Sequence, residues 1–153
     1  HILDLYKATL YRQTMFAEFE KETHKLREKG EVLTSELLSN TYYNLVKKYF
    51  GPNVLCDDLI RYEWARIPHF YYNFYVYKYA TGISAASYIV DGILNNKEGA
   101  LENYINFLKT GGSMYPLDEL KIAGVNLNSK SVILSAIKTF EKYLKKFKDI
   151  YNS

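Results

Sequence analysis

Apolar residues recur every three or four positions along nearly the whole chain, and this spacing predicts amphipathic α-helices. Residues that end helices stand between the apolar runs, among them Gly30, Gly51-Pro52 and Gly124. No stretch shows the sustained alternation that is typical of a half-buried strand, and we find no internal repeat or linker. The pattern therefore predicts an all-α fold, a single helical domain of about six or seven helices.

The ends of the predicted helices follow from residues with clear capping chemistry. Thr34 or Ser35 caps the second helix, and Asp57 caps a short third helix. Pro68 is suited to the first turn of a helix, where a backbone N–H is not needed. The predicted helices cover residues 2–27, 35–50, 97–109 and 117–123. A short helix contains Leu59, Ile60 and Trp64, and another runs from 68 to about 82 with continuation to about 95. A last helix follows Ser129 or Ser131.

Composition and charge narrow the classes of protein that these helices can form. The chain has 153 residues, a formal net charge of +3 and one cysteine, Cys56. The mild, interspersed charge disfavours a nucleic-acid partner, and no apolar run approaches the ~20 residues that span a membrane. One cysteine allows no intrachain disulfide, so we expect a reducing, cytoplasmic compartment. Because the chain starts at His1 rather than Met, within a helical pattern, we expect a piece of a longer protein, although a tag remnant could look the same.

One stretch, residues 66–82, concentrates the unusual chemistry, because seven of its seventeen residues are aromatic. If it forms a continuous helix, His69, Tyr75 and Tyr79 lie close to one line, and Tyr71 lies on the neighbouring face. An imidazole and phenol hydroxyls in a row can grip a polar substrate and donate protons to a developing negative charge. The alternative is that the aromatic stripe is core, with its hydroxyl groups reaching the surface.

Polar residues interrupt the apolar stripe of the first predicted helix. Arg12, Gln13 and Glu18 fall among apolar neighbours, so we expect some of these groups to be buried and paired. An internal salt bridge is the simplest interpretation, and a functional role is the alternative.

A complete active site is not evident in these residues. His1, His24 and His69 are far apart in sequence, and none stands in the His-Glu-x-x-His pattern that grips zinc. Cys56 precedes two acidic residues, which disfavour a thiolate, and Ser113 has no obvious base nearby. The chain therefore offers a histidine and tyrosine face without a nucleophile and without a predicted metal site.

Four ordered segments nevertheless resemble a known family. They are Tyr11-Arg12-Gln13-Thr14-Met15-Phe16-Ala17-Glu18-Phe19-Glu20, the run from Trp64 to Tyr71, the run from Phe74 to Gly82, and residues 107–113 with 120–125. In this order they look like the C-terminal part of oligoendopeptidase F, a zinc metallopeptidase related to thimet oligopeptidase. The resemblance extends over essentially the whole chain.

The resemblance implies the function of a longer protein and a role for this segment within it. It implies a zinc-dependent endopeptidase for short peptides, in which the zinc ligands lie upstream and the N-terminal part of the same protein completes the cleft. By the pattern His-Phe-Tyr-x-x-Phe-Tyr-x-Tyr-x-Tyr, His69 would hold the substrate carbonyl or the tetrahedral intermediate. One or two of Tyr71, Tyr75 and Tyr79 would donate to the oxyanion. Tyr75 and Tyr79 are the better candidates, because helix geometry puts them closest to the line of His69, and Tyr71 would then bind substrate. Arg66 would meet a peptide carboxylate, or would only cap a neighbouring helix.

A different class of function competes with this interpretation. The chain could be a stand-alone helical module that binds a peptide or a partner helix on its tyrosine-rich face without catalysis. The two hypotheses differ in exposed surface, because a segment of a larger enzyme should show a large apolar or tyrosine-rich patch. A module should be sealed everywhere except at one groove.

By resemblance, we expect no zinc bound by the isolated chain and no peptidase activity from it.

Overall fold

The computed structural model describes residues 1–152, which form helices and no strands. This confirms the all-α prediction. The seven α-helices within this range are α1 (Ile2–Tyr6), α2 (Arg12–Glu28), α3 (Ser35–Phe50), α4 (Tyr77–Leu94), α5 (Ala100–Lys109), α6 (Pro116–Ile122) and α7 (Lys130–Tyr151). A π-helical segment, Lys7–Tyr11, follows α1, and two 3-10 helices, Asp58–Arg66 and Pro68–Tyr71, lie between α3 and α4. No helix of the described residues is both long and apolar enough to span a membrane.

The capping predictions are confirmed at three helix starts. The Thr34 side chain accepts a hydrogen bond from the backbone N–H of Leu37 at 3.2 Å, which selects Thr34 over Ser35. Asp57 accepts from the backbone N–H of Leu59 at 2.7 Å, and Ser129 caps α7. These caps depend on chemistry within three residues, so the sequence identifies them directly.

The helix predicted from Pro68 to about Gly82 is wrong. Pro68 starts a single 3-10 turn that ends at Tyr71, and α4 begins only at Tyr77. Phe74, in the break, adopts a left-handed backbone conformation with φ of 52°. A right-handed helix cannot pass through such a residue, so His69 and Tyr79 belong to different helical elements.

The chain forms two compact units, and residues 11–80 make up the one that we call the central unit. Its core joins α2, α3 and the two chain segments that flank the break. Tyr42 and Val76 are fully buried there, and an edge-to-face contact joins Phe19 to Tyr42 with ring centroids 5.3 Å apart. The buried members are Met15, Phe16, Phe19, Tyr42, Leu45, Val46, Ile67 and Val76.

The second unit, which we call the terminal unit, comprises residues 1–10 and the described residues from Thr81 onward. Its core gathers small side chains of α4 with residues of α7 and of the turn after α6, namely Ala85, Ala123, Val125 and Val132. The Tyr6 hydroxyl and the Ser87 hydroxyl share a buried hydrogen bond at 2.7 Å. Ser84 and Ala85 of α4 are buried, and their small side chains let other elements of this unit approach the helix closely.

Arg12 and Glu18, two of the polar residues of the first predicted helix, are paired within the central unit. Arg12 donates to the buried carboxylate of Glu63 at 2.5 Å. Glu18 accepts from the Lys48 ammonium at 2.5 Å and from the Tyr49 hydroxyl at 2.8 Å. The pair between Arg12 and the buried Glu63 therefore matches the internal salt bridge of the simpler interpretation, while Glu18 and Lys48 pair nearer the surface.

Replacement of Thr34 by alanine tests the cap of α3. Thr34→Ala removes the only side-chain oxygen that satisfies the Leu37 N–H in this cap, so the free energy of unfolding should fall by about 1 kcal/mol. Chemical denaturation measures this value. Ser35→Ala is the matched control and should cause no loss, because Ser35 is exposed and lies inside the helix. Equal losses for the two variants would contradict the assignment of the cap.

Candidate functional site

The candidate site lies on the chain segment 68–75, which is fixed to the core of the central unit at both of its ends. Ile67 precedes the segment and Val76 follows it, and both side chains are buried. Phe70 packs against Phe16 and Phe19, with ring centroids 5.6 and 5.2 Å apart. The other aromatic residues of the segment are exposed, because its ends and Phe70 supply the apolar anchors. The alternative prediction that this stripe is core is therefore wrong for most of its members.

Successive tight turns give the segment its path. His69 sits in the 3-10 helix that Pro68 starts, where Pro68 occupies the first turn as the sequence predicts. Tyr72 N–H donates to the His69 carbonyl at 3.1 Å, and Tyr75 N–H donates to the Tyr72 carbonyl at 3.0 Å. These bonds span three residues each and bring Tyr75 back toward His69.

The turns bring three predicted side chains into one cluster, His69, Tyr75 and Tyr79. The His69 and Tyr75 rings stack with centroids 5.5 Å apart and planes at 21°. The Tyr79 ring meets both edge-on, at 6.0 Å from His69 and 5.7 Å from Tyr75. The Tyr79 hydroxyl lies 3.4 Å from His69 Nε2, so a weak hydrogen bond joins two groups that can both donate to a substrate.

The electrostatics of this cluster favour the protonated form of the Tyr79 phenol. A hydrogen bond with Tyr75 raises the pKa of the Tyr79 phenol, and desolvation raises it further. Tyr79 therefore keeps its proton throughout the neutral range and remains a hydrogen-bond donor. Lys78 places its ammonium 5.1 Å from the Tyr75 ring centroid, which adds a positive charge beside the cluster.

Tyr71 and Arg66 are placed differently from these three side chains. Tyr71 is 82% exposed and, among the described residues, shares no ring contact with the cluster. Arg66 is 69% exposed and forms an ion pair with Glu63 of the same 3-10 helix. This ion pair differs from the helix cap that was one of the two roles open for Arg66, and the other role, binding of a peptide carboxylate, stays a prediction.

Glu63, the partner of Arg66, is a buried carboxylate that forms an ionic centre of the central unit. One carboxylate oxygen accepts from Arg12 and Arg66, and the other accepts from the Tyr42 hydroxyl at 2.6 Å. Burial by itself raises the pKa of Glu63, but the hydrogen bonds from Tyr42 and Arg12 and the two guanidinium charges lower it below its ordinary value. The same arrangement, with desolvation as the largest cause, raises the pKa of the Tyr42 phenol. The carboxylate thus stays ionised and ties α2 and α3 to the 3-10 helix that leads into the site.

Sequence reasoning missed three residues that support the segment. The Phe74 N–H donates to the Glu20 carboxylate at 2.6 Å, and the Phe74 ring lies 4.6 Å from the His24 ring. Asn73, a residue that favours turns, was the one local signal of a break in the predicted helix. Nothing local identifies Glu20, because it lies 54 positions away in the chain.

The donor set does not fit a zinc ion. His69 is the one imidazole of the cluster, and its neighbours are phenols rather than carboxylates or thiolates. Across residues 1–152, no group of three or more His, Cys, Asp and Glu side chains converges in a way that could hold a metal ion. The chemistry that this cluster can perform is hydrogen-bond donation to a polar ligand.

Comparison with known proteins finds a family profile and relatives that match this chain. Residues 3–139 match the profile of Peptidase family M3. The chain is 51% identical over 150 residues to "Oligopeptidase PepF" of Bacillus subtilis strain 168, a match that covers 98% of this chain and 22% of the relative. It is 54% identical over 144 residues to "Oligoendopeptidase F homolog" of Borreliella burgdorferi, which covers 94% of this chain and 24% of the relative.

A solved structure agrees with the sequence comparisons. The crystal structure of oligoendopeptidase-F from Enterococcus faecium superposes with a TM-score of 0.96 at 49% identity, and covers 99% of this chain and 29% of that one. These matches confirm the resemblance to oligoendopeptidase F that the ordered motifs indicate. The chain spans less than a quarter of the length of the curated relatives described above.

Replacement of Glu63 by glutamine tests the buried ionic centre. Glu63→Gln keeps an acceptor for Tyr42 but loses both charge pairs, so the free energy of unfolding should fall by about 2 kcal/mol at neutral pH. Because the folded-state pKa of Glu63 is lowered, its contribution is present above the ordinary pKa of 4.5 and is lost as the pH falls through the lower folded value. Denaturation at several pH values measures the gap between the two proteins.

The gap should therefore shrink below about pH 4.5. Glu22→Gln is the control, because Glu22 forms a surface pair with Lys25 and should change stability by less than about 0.5 kcal/mol. A gap that stays constant down to strongly acidic pH would show that Glu63 stabilises the fold without its charge.

Proposed function

The chain belongs to peptidase family M3, and on that premise we propose that it is the C-terminal part of a zinc-dependent oligoendopeptidase that hydrolyses short peptides. Within that enzyme it supplies the face of the substrate cleft that carries His69, Tyr75 and Tyr79. The observation that carries this proposal is the clustering of these three side chains, although His69 lies in the 3-10 helix, Tyr75 in the break and Tyr79 in α4.

The proposed role of the cluster is to bind the substrate backbone and to stabilise the oxyanion of the tetrahedral intermediate. A neutral imidazole donates from one nitrogen, and each phenol donates from its hydroxyl. The 3.4 Å contact between Tyr79 and His69 is long for a hydrogen bond, so a substrate oxygen can replace it at little expense. Donors that are already in position when negative charge develops lower the barrier more than flexible ones.

Tyr71 and Arg66 are proposed to bind substrate at the edge of this cluster. The exposed Tyr71 ring can pack on a peptide side chain, and its hydroxyl can bond the peptide backbone. Arg66 has five N–H donors, and its pairing with Glu63 leaves some of them for a peptide carboxylate. Glu63 at the same time limits the positions that the guanidinium can reach.

Zinc is proposed to be held by residues outside this chain, because no group of side chains within residues 1–152 converges in a way that could hold it. The present residues then supply hydrogen-bond donors, and the remainder of the enzyme supplies the metal and completes the cleft. A cytoplasmic location stays a prediction that rests on the single cysteine and on the family.

Exposed apolar surface supports the enzyme segment over the stand-alone module. In the central unit the exposed residues include Leu55, Leu59, Tyr71 and Tyr72. In the terminal unit they include Leu94, Leu101, Tyr115, Leu117 and Ile150. A module with one groove would bury most of these side chains, whereas a segment of a larger enzyme would cover them with the rest of the chain.

Two substitutions in the full-length enzyme test the proposed donors. His69→Ala and Tyr79→Phe each remove a donor to the oxyanion, so kcat should fall roughly 100-fold for each. Zinc content, measured by elemental analysis, should remain that of the wild type, because neither residue is proposed as a ligand. Steady-state kinetics with a short quenched-fluorescence peptide give kcat and KM separately.

Tyr43→Phe is a matched control for these variants. It also deletes a tyrosine hydroxyl of the central unit, but that hydroxyl donates to the Cys56 carbonyl. Its kcat should stay within about threefold of the wild type. Normal cleavage by both His69→Ala and Tyr79→Phe would reject the catalytic role and favour a binding surface.

The isolated 153-residue chain should not hydrolyse peptides, even with added zinc. The proposal gives it substrate-binding donors but no zinc ligands and no base for water. The assay compares the purified chain with buffer alone and with the full-length enzyme at equal concentration. Turnover above the buffer rate that a chelator abolishes would show that the chain holds a complete site.

A further inference from the structure

The relative placement of His69 and Tyr79 depends on a residue in an unfavourable backbone conformation. Phe74 lies between the 3-10 helix of His69 and the start of α4, and its φ of 52° is uncommon for a bulky side chain. Left to itself, this residue would relax toward negative φ and change the direction of the chain at this point. Something must hold the turn if His69, Tyr75 and Tyr79 are to remain clustered.

Helix α2 contacts this residue at two points. The Glu20 side chain is only 4% exposed, and its carboxylate accepts from the Phe74 N–H at 2.6 Å. A short hydrogen bond to a charged acceptor is stronger than one between neutral groups. His24 follows Glu20 by one helical turn, so it lies on the same helix face, and its ring packs on the Phe74 ring at 4.6 Å.

The same helix also contacts the other side of the cluster. Phe16 and Phe19 of α2 pack on Phe70, which directly follows His69 in the chain. One helix therefore fixes the backbone on both sides of the break. On the His69 side, the Phe16 and Phe19 rings hold Phe70. On the Phe74 side, the Glu20 carboxylate and the His24 ring hold Phe74.

We propose that Glu20 is a positioning residue whose carboxylate, by holding the Phe74 N–H, fixes the left-handed turn that sets His69 against Tyr75 and Tyr79. The role rests on the proposed function of those three side chains. Glu20 itself touches no substrate, and it acts through the backbone of residue 74. Without the Glu20 carboxylate, the hydrogen-bond donors His69, Tyr75 and Tyr79 are all present, but they are no longer held in one arrangement.

Substitutions of Glu20 in the full-length enzyme test this role. Glu20→Ala removes the acceptor, so kcat should fall at least 10-fold while KM stays within about threefold, because donors to the transition state are misplaced. Glu20→Gln keeps an acceptor oxygen and should recover most of the lost kcat. Glu22→Ala, on the same helix but in a surface ion pair, should match the wild type.

Hydrogen exchange supplies a readout that does not depend on activity. In Glu20→Ala, exchange of the backbone amides in residues 72–76 should be faster than in the wild type, and zinc content should be unchanged. The proposal is overturned if kcat stays within threefold of the wild type. It is equally overturned if kcat falls without any change in exchange at 72–76.

Substitutions of Phe74 isolate the backbone effect and remain informative if Glu20→Ala folds poorly. Phe74→Gly and Phe74→Ala both remove the ring that packs on His24, but only glycine adopts positive φ freely. Glu20→Gln and Glu20→Ala should therefore differ in kcat by at least 10-fold in the Phe74→Ala background and by less than about threefold in the Phe74→Gly background. Equal ratios in the two backgrounds would overturn the proposal.

These experiments distinguish failure of the proposed function from failure of the positioning role of Glu20. Full activity of both His69→Ala and Tyr79→Phe rejects the proposed function, whatever the Glu20 variants do. Loss of activity in those two variants, with normal kcat and normal exchange in Glu20→Ala, rejects the positioning role alone.

Discussion

The central unit depends on the buried carboxylate of Glu63. A charge in the interior must be paired and hydrogen-bonded, and three residues from three elements, Arg12, Tyr42 and Arg66, meet this requirement. Their shared acceptor fixes where α2 and α3 lie relative to the 3-10 helix Asp58–Arg66. Because Ile67 follows this helix directly, the carboxylate also determines where the aromatic segment leaves the core. The position of the cluster formed by His69, Tyr75 and Tyr79 therefore depends on this buried ionic centre.

Local chemistry explains which parts of the fold the sequence could predict. The caps at Thr34, Asp57 and Ser129 need only a side-chain oxygen and a nearby N–H, so they can be identified from a few residues. The helix predicted over 68–82 failed because aromatic residues at frequent intervals satisfy helical spacing whether or not a helix forms. The left-handed Phe74 is imposed by a partner on α2, and a periodicity argument contains no information about such a partner.

In the candidate site, too, the sequence predicts the residues but not the distant contacts that position them. Residue type and family pattern both indicated His69, Tyr75 and Tyr79, and the structure brings them together. The geometric reason given from the sequence was wrong, because turns rather than one helix face create the cluster. Glu20 escaped notice, since an acidic residue within an amphipathic helix is ordinary until its distant partner is known.

The break between Tyr71 and Tyr77 also determines how the spacing within the cluster of His69, Tyr75 and Tyr79 can change in evolution. In a continuous helix, one inserted residue rotates everything beyond it by about 100°, which would carry the tyrosines away from the histidine. A non-helical connection can absorb an insertion as a wider bend while α4 keeps its register. The spacing between the histidine and the tyrosines can therefore change with the length of this connection, while both helical elements stay as they are.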